Sequence, residues 1–322
     1  ASALYIACQE GQIECVRLLL EAGAATLGAG AAVDQAKDDG TTPLSAASLA
    51  GQIDCVRLMI TAGAAVNQAD TDGFTPLYAA CQEGHLECAQ PLLGANADAD
   101  QAMDDGTTPL CAASLAGQID CVRLMIAATA GAAVNQADTD GFTPLLVASE
   151  KGHLEIAQLL LEAGAAINRG KHDGVTPLYK ACNKGHLEVA RLLLEAGAAI
   201  NQARNTGATP LFKACQEGHL ECARRLLEAG AAINQAKDGG WTPMLVACEN
   251  GHLEMVRLLL EAGAAANQAR NTGATPLFKA CQNGHLEIAR LLLEAGAAIN
   301  QARNDGATPL FAACFQGHLE IA

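Results

Sequence analysis

The chain has 322 residues, half of them hydrophobic but only 3% aromatic, with 35 acidic side chains against 20 basic ones. The apolar half is enough for a folded core, yet no uncharged apolar run approaches the ~18 residues that a membrane helix needs. A net charge of −15 repels phosphate backbones and anionic lipid, which argues against nucleic-acid and membrane binding.

Thr-Pro recurs at Pro43, Pro76, Pro109, Pro144, Pro177, Pro210, Pro243, Pro276 and Pro309, always 33 residues apart except for 35 between Pro109 and Pro144. Ser2-Ala3-Leu4 holds the same place in a truncated first repeat, so the sequence contains about ten repeats. In chain order, repeat 1 is followed by an insertion of about seven residues around Thr26 to Ala32. Repeat 3 carries the one proline out of register, Pro91, with Gly94, Asn96 and Ala99 where repeat 7 has Glu, Gly and Ile. An interior proline costs about 3 kcal/mol, so a kinked or shortened helix is expected near residues 86–93. A two-residue insertion follows near Ala127-Ala128, and both insertions are expected in loops after a second helix. The last repeat stops at Ala322 inside a segment that runs on elsewhere. One array with truncated first and last repeats, cut from a longer protein, is therefore expected over residues 1–322.

Repeat 7, Asn201 to Ile233, shows what each copy encodes. Gly207 after Asn205-Thr206 supplies a turn, Thr209 suits an N-cap, and Pro210 fits the first helical position, where a missing N–H is harmless. Leu211, Ala214, Cys215 and Gly218 fall on one narrow helical face, which predicts a first helix packed on one side. Gly218-His219 breaks it. Leu220, Ala223, Leu226 and Leu227 then repeat the helical spacing until Gly230 ends a second helix.

These residues carry a resemblance. Thr-Pro-Leu-x-x-Ala, Gly-His-Leu-Glu at His85, His153, His186, His219, His252, His285 and His318, and an Asn-containing loop at a period of 33 resemble the ankyrin repeat across essentially the whole chain. The resemblance implies an all-α fold: an α-solenoid of helix-turn-helix repeats with β-hairpin-like finger loops and a concave face made of fingers and first helices. It also implies a protein-binding scaffold. The family's usual His after Thr-Pro-Leu is missing; Tyr78, Tyr179, Phe212, Phe278, Phe311, Ser45, Cys111, Leu146 and Leu245 stand there instead.

Thirteen cysteines without a signal-like start point to a reducing compartment inside the cell, the cytoplasm, and to free thiols packed as small core residues. Pairs such as Cys81/His85 and Cys215/His219 do not make a zinc site, because the Cys belongs to a packed helix face and the His follows the terminating Gly. No catalytic constellation or phosphate-binding glycine loop is present, so neither enzyme activity nor a cofactor is expected.

Charge is split unevenly. Residues 1–150 hold 4 basic and 19 acidic side chains, whereas residues 151–322 hold 16 of each. The front finger tips, Asp38, Asp39, Asp72, Asp104, Asp105 and Asp140, with Phe74 and Phe142 beside Thr-Pro, are expected to receive a basic partner segment. In the rear half Lys180, Lys213 and Lys279, placed opposite the packed helix face, and Trp241 are expected to receive an acidic or apolar one. The alternatives are that these are solvated faces only, that the aromatic residues fill space between repeats, or that the array is a spacer flanking another functional domain. Repeats without polar caps also predict end-to-end self-association.

Overall fold

The computed structural model describes residues 2–26, 33–129 and 131–322. These contain nineteen α-helices and no strand; the only β-like feature among them is an isolated bridge between Lys237 and Trp241. The chain forms two compact units, residues 1–148 with 153–166, and residues 149–152 with 167–322. No helix among the described residues is long and apolar enough to cross a membrane.

Each repeat builds itself from local signals. In repeat 7 the Thr209 hydroxyl accepts the backbone N–H of Phe212 at 3.1 Å, and Pro210 opens the first helix, Pro210–Glu217. Gly218 closes that helix in the left-handed region, φ 77°, where its N–H returns to the Ala214 carbonyl. The chain reverses through His219 into the second helix, Leu220–Glu228, which buries Cys222, Ala223 and Leu226.

The first helices are not packed on one side, as the spacing suggested. In Pro43–Leu49 every residue from Pro43 to Ser48 is buried. The reason is stacking: Pro43–Leu49 touches the first helices before and after it as well as its own second helix, and Pro76–Glu83, Pro210–Glu217 and Pro243–Asn250 do the same. Small residues such as Ala46, Ala47 and Ser48 permit that close approach.

Three sets of hydrogen bonds join adjacent repeats. A histidine Nε2 meets a carbonyl oxygen 36 residues earlier, as in His219 to Asn183 and His252 to Gln216, both at 3.1 Å. The side-chain oxygen of an Asn accepts a backbone N–H from the next repeat, as in Asn201 from Ala232 at 2.8 Å and Asn135 from Ala166 at 2.7 Å. Finger tips bond in sequence: Thr71 N–H to the Asp39 carbonyl at 2.9 Å, Asp104 to Asp72 at 3.0 Å and Asn205 to Asp173 at 2.8 Å. The glycine after most first helices leaves room for the histidine ring of the following repeat, and Gly11 and Gly84 leave it for Gln52 and Gln118; a Cβ on Gly218 would lie 2.8 Å from His252 Cε1.

Repeat 3 departs from expectation. Its second helix, Leu86–Gly94, has nine residues, as many as Leu220–Glu228, and is not shortened. Pro91 removes the N–H that would bond the carbonyl of Glu87, an exposed residue, while the buried stripe Cys88, Ala89 and Leu92 stays in place. Asn96 takes the left-handed conformation, φ 64°, that glycine supplies in the other repeats, which Asn tolerates better than most residues. The insertion near Ala127-Ala128 lengthens its helix to Ile119–Ala128, ten residues, rather than falling wholly in a loop. The earlier insertion lies, beyond Thr26, outside the described residues.

A pair of glycine substitutions separates the two roles of these residues. Gly230 has φ 87° and nothing within 4 Å of a Cβ, so Gly230→Ala is expected to destabilise by roughly 1 kcal/mol from backbone strain alone. Gly218→Ala adds the collision with His252 and is expected to lower the urea midpoint further, an excess that His252→Ala removes.

Candidate interaction surface

The fingers are tight turns closed by their own backbone: Asp70 N–H bonds the Phe74 carbonyl at 3.2 Å, and Arg204 N–H bonds that of Ala208 at 3.0 Å. Acidic side chains within them serve two purposes. Asp70 Oδ1 accepts the N–H groups of Asp72 at 3.0 Å and Phe74 at 2.9 Å, and Asp138 does the same for Asp140 and Phe142. Asp39 and Asp105 accept the N–H groups of Thr41 and Thr107 at 2.9 and 2.8 Å. The Thr41 bonds hold the Asp39 carboxyl below the usual carboxylate range. The carboxylates of Asp38, Asp72, Asp104 and Asp140 are exposed and have no partner among the described residues. Because neighbouring fingers bond one another, these four carboxylates lie along one edge of the first unit. Phe74 and Phe142 stand half-buried at the root of that edge, the Phe74 ring 5.0 Å from Tyr78.

The second unit treats its charges differently. Lys180 Nζ lies 2.7 Å from Glu150 and Lys279 Nζ 3.0 Å from Glu249, each pair joining first helices of adjacent repeats. Lys213 instead pairs with Glu217 on its own helix at 2.6 Å, since the residue facing it from the preceding repeat is Asn183. The lysines are therefore not opposite the packed face. The Lys279 side chain is only 12% exposed. Trp241 is half-buried, with the Arg270 guanidinium 4.3 Å and the Lys279 ammonium 5.1 Å from its ring.

The aromatic residues after Thr-Pro-Leu fill space between repeats. Tyr5, Tyr78, Tyr179, Phe212 and Phe278 are buried, and burial pushes the Tyr78 hydroxyl up to about 12. Tyr5, Phe212 and Phe278 lie beneath a cation from the following finger: Lys37 at 4.4 Å, Lys237 at 5.0 Å and Arg303 at 5.2 Å. Where the preceding repeat has Ser45 or Cys111 instead of a ring, the finger position of that cation holds Asp70 or Asp138, which turns inward to cap its own loop. Phe311, at the same position in the last repeat of the sequence, is 57% exposed.

A family model for ankyrin repeats, in three copies, matches residues 4–102, 88–171, 166–237, 198–270, 230–303 and 265–322. The chain belongs to the ankyrin-repeat family. No curated protein matches it. Ankyrin repeats generally act as protein-interaction scaffolds.

All thirteen cysteines are free. Eleven are buried, and burial pushes the Cys88, Cys222 and Cys281 thiols up to about 11. Only Cys15 and Cys314 are exposed. A thiol-reactive disulfide reagent at pH 8 is therefore expected to label two groups rapidly in the native chain, and all thirteen once it is unfolded. Rapid labelling of Cys88 or Cys222 in the native chain would contradict the packing described. For the fingers, Asp70→Ala and Asp138→Ala are each expected to destabilise by about 1 kcal/mol through lost turn bonds, whereas Asp72→Asn and Asp140→Asn leave the urea midpoint unchanged.

Proposed function

We propose that the chain is a protein-binding scaffold with no chemistry of its own, and that the acidic finger edge of its first unit receives a basic, extended segment of a partner. One observation carries the reading. Asp38, Asp72, Asp104 and Asp140 are exposed carboxylates that make no bond within the fold, whereas the cations singled out in the second unit are held by Glu150, Glu217, Glu249 or an aromatic ring. Carboxylates that the fold does not use remain available to a ligand. Phe74 and Phe142 at the root of the same edge add apolar contact beside the charge.

Spacing narrows the partner class. Stacked helices sit roughly 10 Å apart, which sets the separation of successive fingers. A partner segment in the extended polyproline II conformation advances about 3.1 Å per residue with three residues per turn, so cations at every third position share one face and meet one finger each.

The test compares two synthetic peptides of the same composition, one with arginine at every third position and one with its arginines clustered. The spaced peptide is expected to bind more tightly, with an affinity that falls as salt rises. Changing Asp38, Asp72, Asp104 and Asp140 together to Asn is expected to weaken it at least tenfold while the fold stays intact. Equal binding to the unaltered and altered chains would refute the finger reading. No binding of any peptide or natural partner, together with tolerance of surface charge exchange, would favour the spacer array.

A further inference from the structure

We propose that the second unit holds a site for a carboxylate of an acidic partner segment, a glutamate or aspartate side chain, in the space over Gly239, between Lys237 and Arg270 and beside the edge of Trp241. The site shares no residue with the acidic finger edge of the first unit and takes a ligand of opposite charge, so it goes beyond that reading.

The register of the fingers carries the inference. The third finger residue is acidic at Asp39, Asp72, Asp105, Asp140, Asp173 and Asp305, but it is Thr206, Gly239 and Thr272 in the fingers of repeats 7, 8 and 9. Finger cations use that acid in two ways. Lys37 and Arg303 pair with it on their own finger, at 3.9 Å to Asp39 and 3.0 Å to Asp305, whereas Arg204 pairs with it on the preceding finger, at 3.2 Å to Asp173. For Lys237 the two places hold Gly239 and Thr206, and for Arg270 they hold Thr272 and Gly239. Neither cation has an ion pair among the described residues. Position 239 is the place common to both, so one carboxylate supplied there from outside meets the two cations together.

Both cations are already aimed. Lys237 Nζ lies 5.0 Å from the centre of the Phe212 ring, and the Arg270 guanidinium lies 4.3 Å from that of Trp241. A ring beneath a cation orients it without neutralising its charge, and the edge of a stacked guanidinium keeps its paired donors for a carboxylate. Trp241 stands where the other rear fingers have Ala208, Ala274 and Ala307, and it gives Arg270 the ring that Leu245 does not. A Cβ on Gly239 would meet only Trp241 within 4 Å, Cδ1 at 3.5 Å and Nε1 at 3.9 Å, so the space is open. The indole N–H has no partner among the described residues and borders that space as a third donor. Three donors suit a ligand group that only accepts. The chain does not fill the place itself, because Gly239 has φ 80° and a side chain there would be strained. Asp238, exposed on the same finger, pairs with neither cation, and two cations against that one acid leave the site positive. Nearby Lys279 is engaged by Glu249 at 3.0 Å.

Trp241 is the only tryptophan, so its indole N–H gives one signal in the ¹H–¹⁵N NMR spectrum of the full chain. Titration with a glycine-serine peptide interspersed with glutamates is expected to shift that signal saturably, and the same peptide with glutamine in their place is expected to leave it. Arg270→Gln and Lys237→Gln are each expected to weaken binding about tenfold through a lost charged hydrogen bond. Thr272→Asp alters no site residue but gives Arg270 the acid that Arg303 has, and it is expected to weaken binding as much. Asp238→Asn is expected to tighten it. The chain with Asp38, Asp72, Asp104 and Asp140 changed to Asn is expected to bind the acidic peptide as the unaltered chain does at physiological salt, where distant charges are screened, so failure of one site is seen apart from failure of the other. An indole signal that does not move, an equal shift with the glutamine peptide, unchanged binding by Thr272→Asp, or tighter binding of inorganic phosphate than of the peptide would overturn the proposal.

Discussion

The joint between adjacent repeats is the interaction on which everything else in this chain depends. A single repeat of two short helices, such as Pro210–Glu217 and Leu220–Glu228, is too small to bury its own apolar stripe. Its first helix is covered only when neighbours lie on both sides. The joint then fixes which residues are small, which position must be glycine and which carbonyls need a partner from the next repeat. Stability in such an array is close to a sum of nearest-neighbour terms, so each joint has to be specified separately.

Two pairs of positions carry that specification. At three joints the ring at this position goes with a cation on the next finger, as in Phe212 with Lys237, whereas Ser45 goes with Asp70 and Tyr78 with Met103. A glutamate near the end of one first helix goes with a lysine on the next, as in Glu249 with Lys279. Residues that look like surface decoration in the sequence are in these cases internal to the joint. Cations used in this way are withdrawn from any ligand. That is the physical reason why the near-neutral second unit offers fewer free charges than its sixteen basic residues suggest, and why the acidic fingers of the first unit stand out.

The local half of the structure was legible in the sequence. Thr209 as N-cap, Pro210 at the first helical position and Gly218 as terminator are all signals within a few residues of what they control, and each holds. The non-local half was not. His219 reads only as a repeated residue until its ring is seen against a carbonyl 36 residues earlier, and Lys180 reads as a free cation until Glu150, 30 residues earlier, is seen beside it. Pro91 misled for a related reason: the bond it removes belongs to exposed Glu87, while the residues that hold the helix, Ala89 and Leu92, face inward and are unaffected. The register of the repeat contained the missing information, since aligning the copies places Glu150 and Lys180 at the two sides of one joint.

The most direct test of this account is hydrogen exchange at Ala65, Ala166, Ala199, Ala265 and Ala298. These alanines are exposed and lie outside the helices, yet each N–H is bonded to a side-chain oxygen of the preceding repeat, Asp34, Asn135, Asn168, Asn234 and Asn267 in turn. If the joints hold the fold together, these amides exchange as slowly as those inside the helices. Exchange at the rate of an ordinary exposed loop would mean that the joints open freely, and would contradict the account.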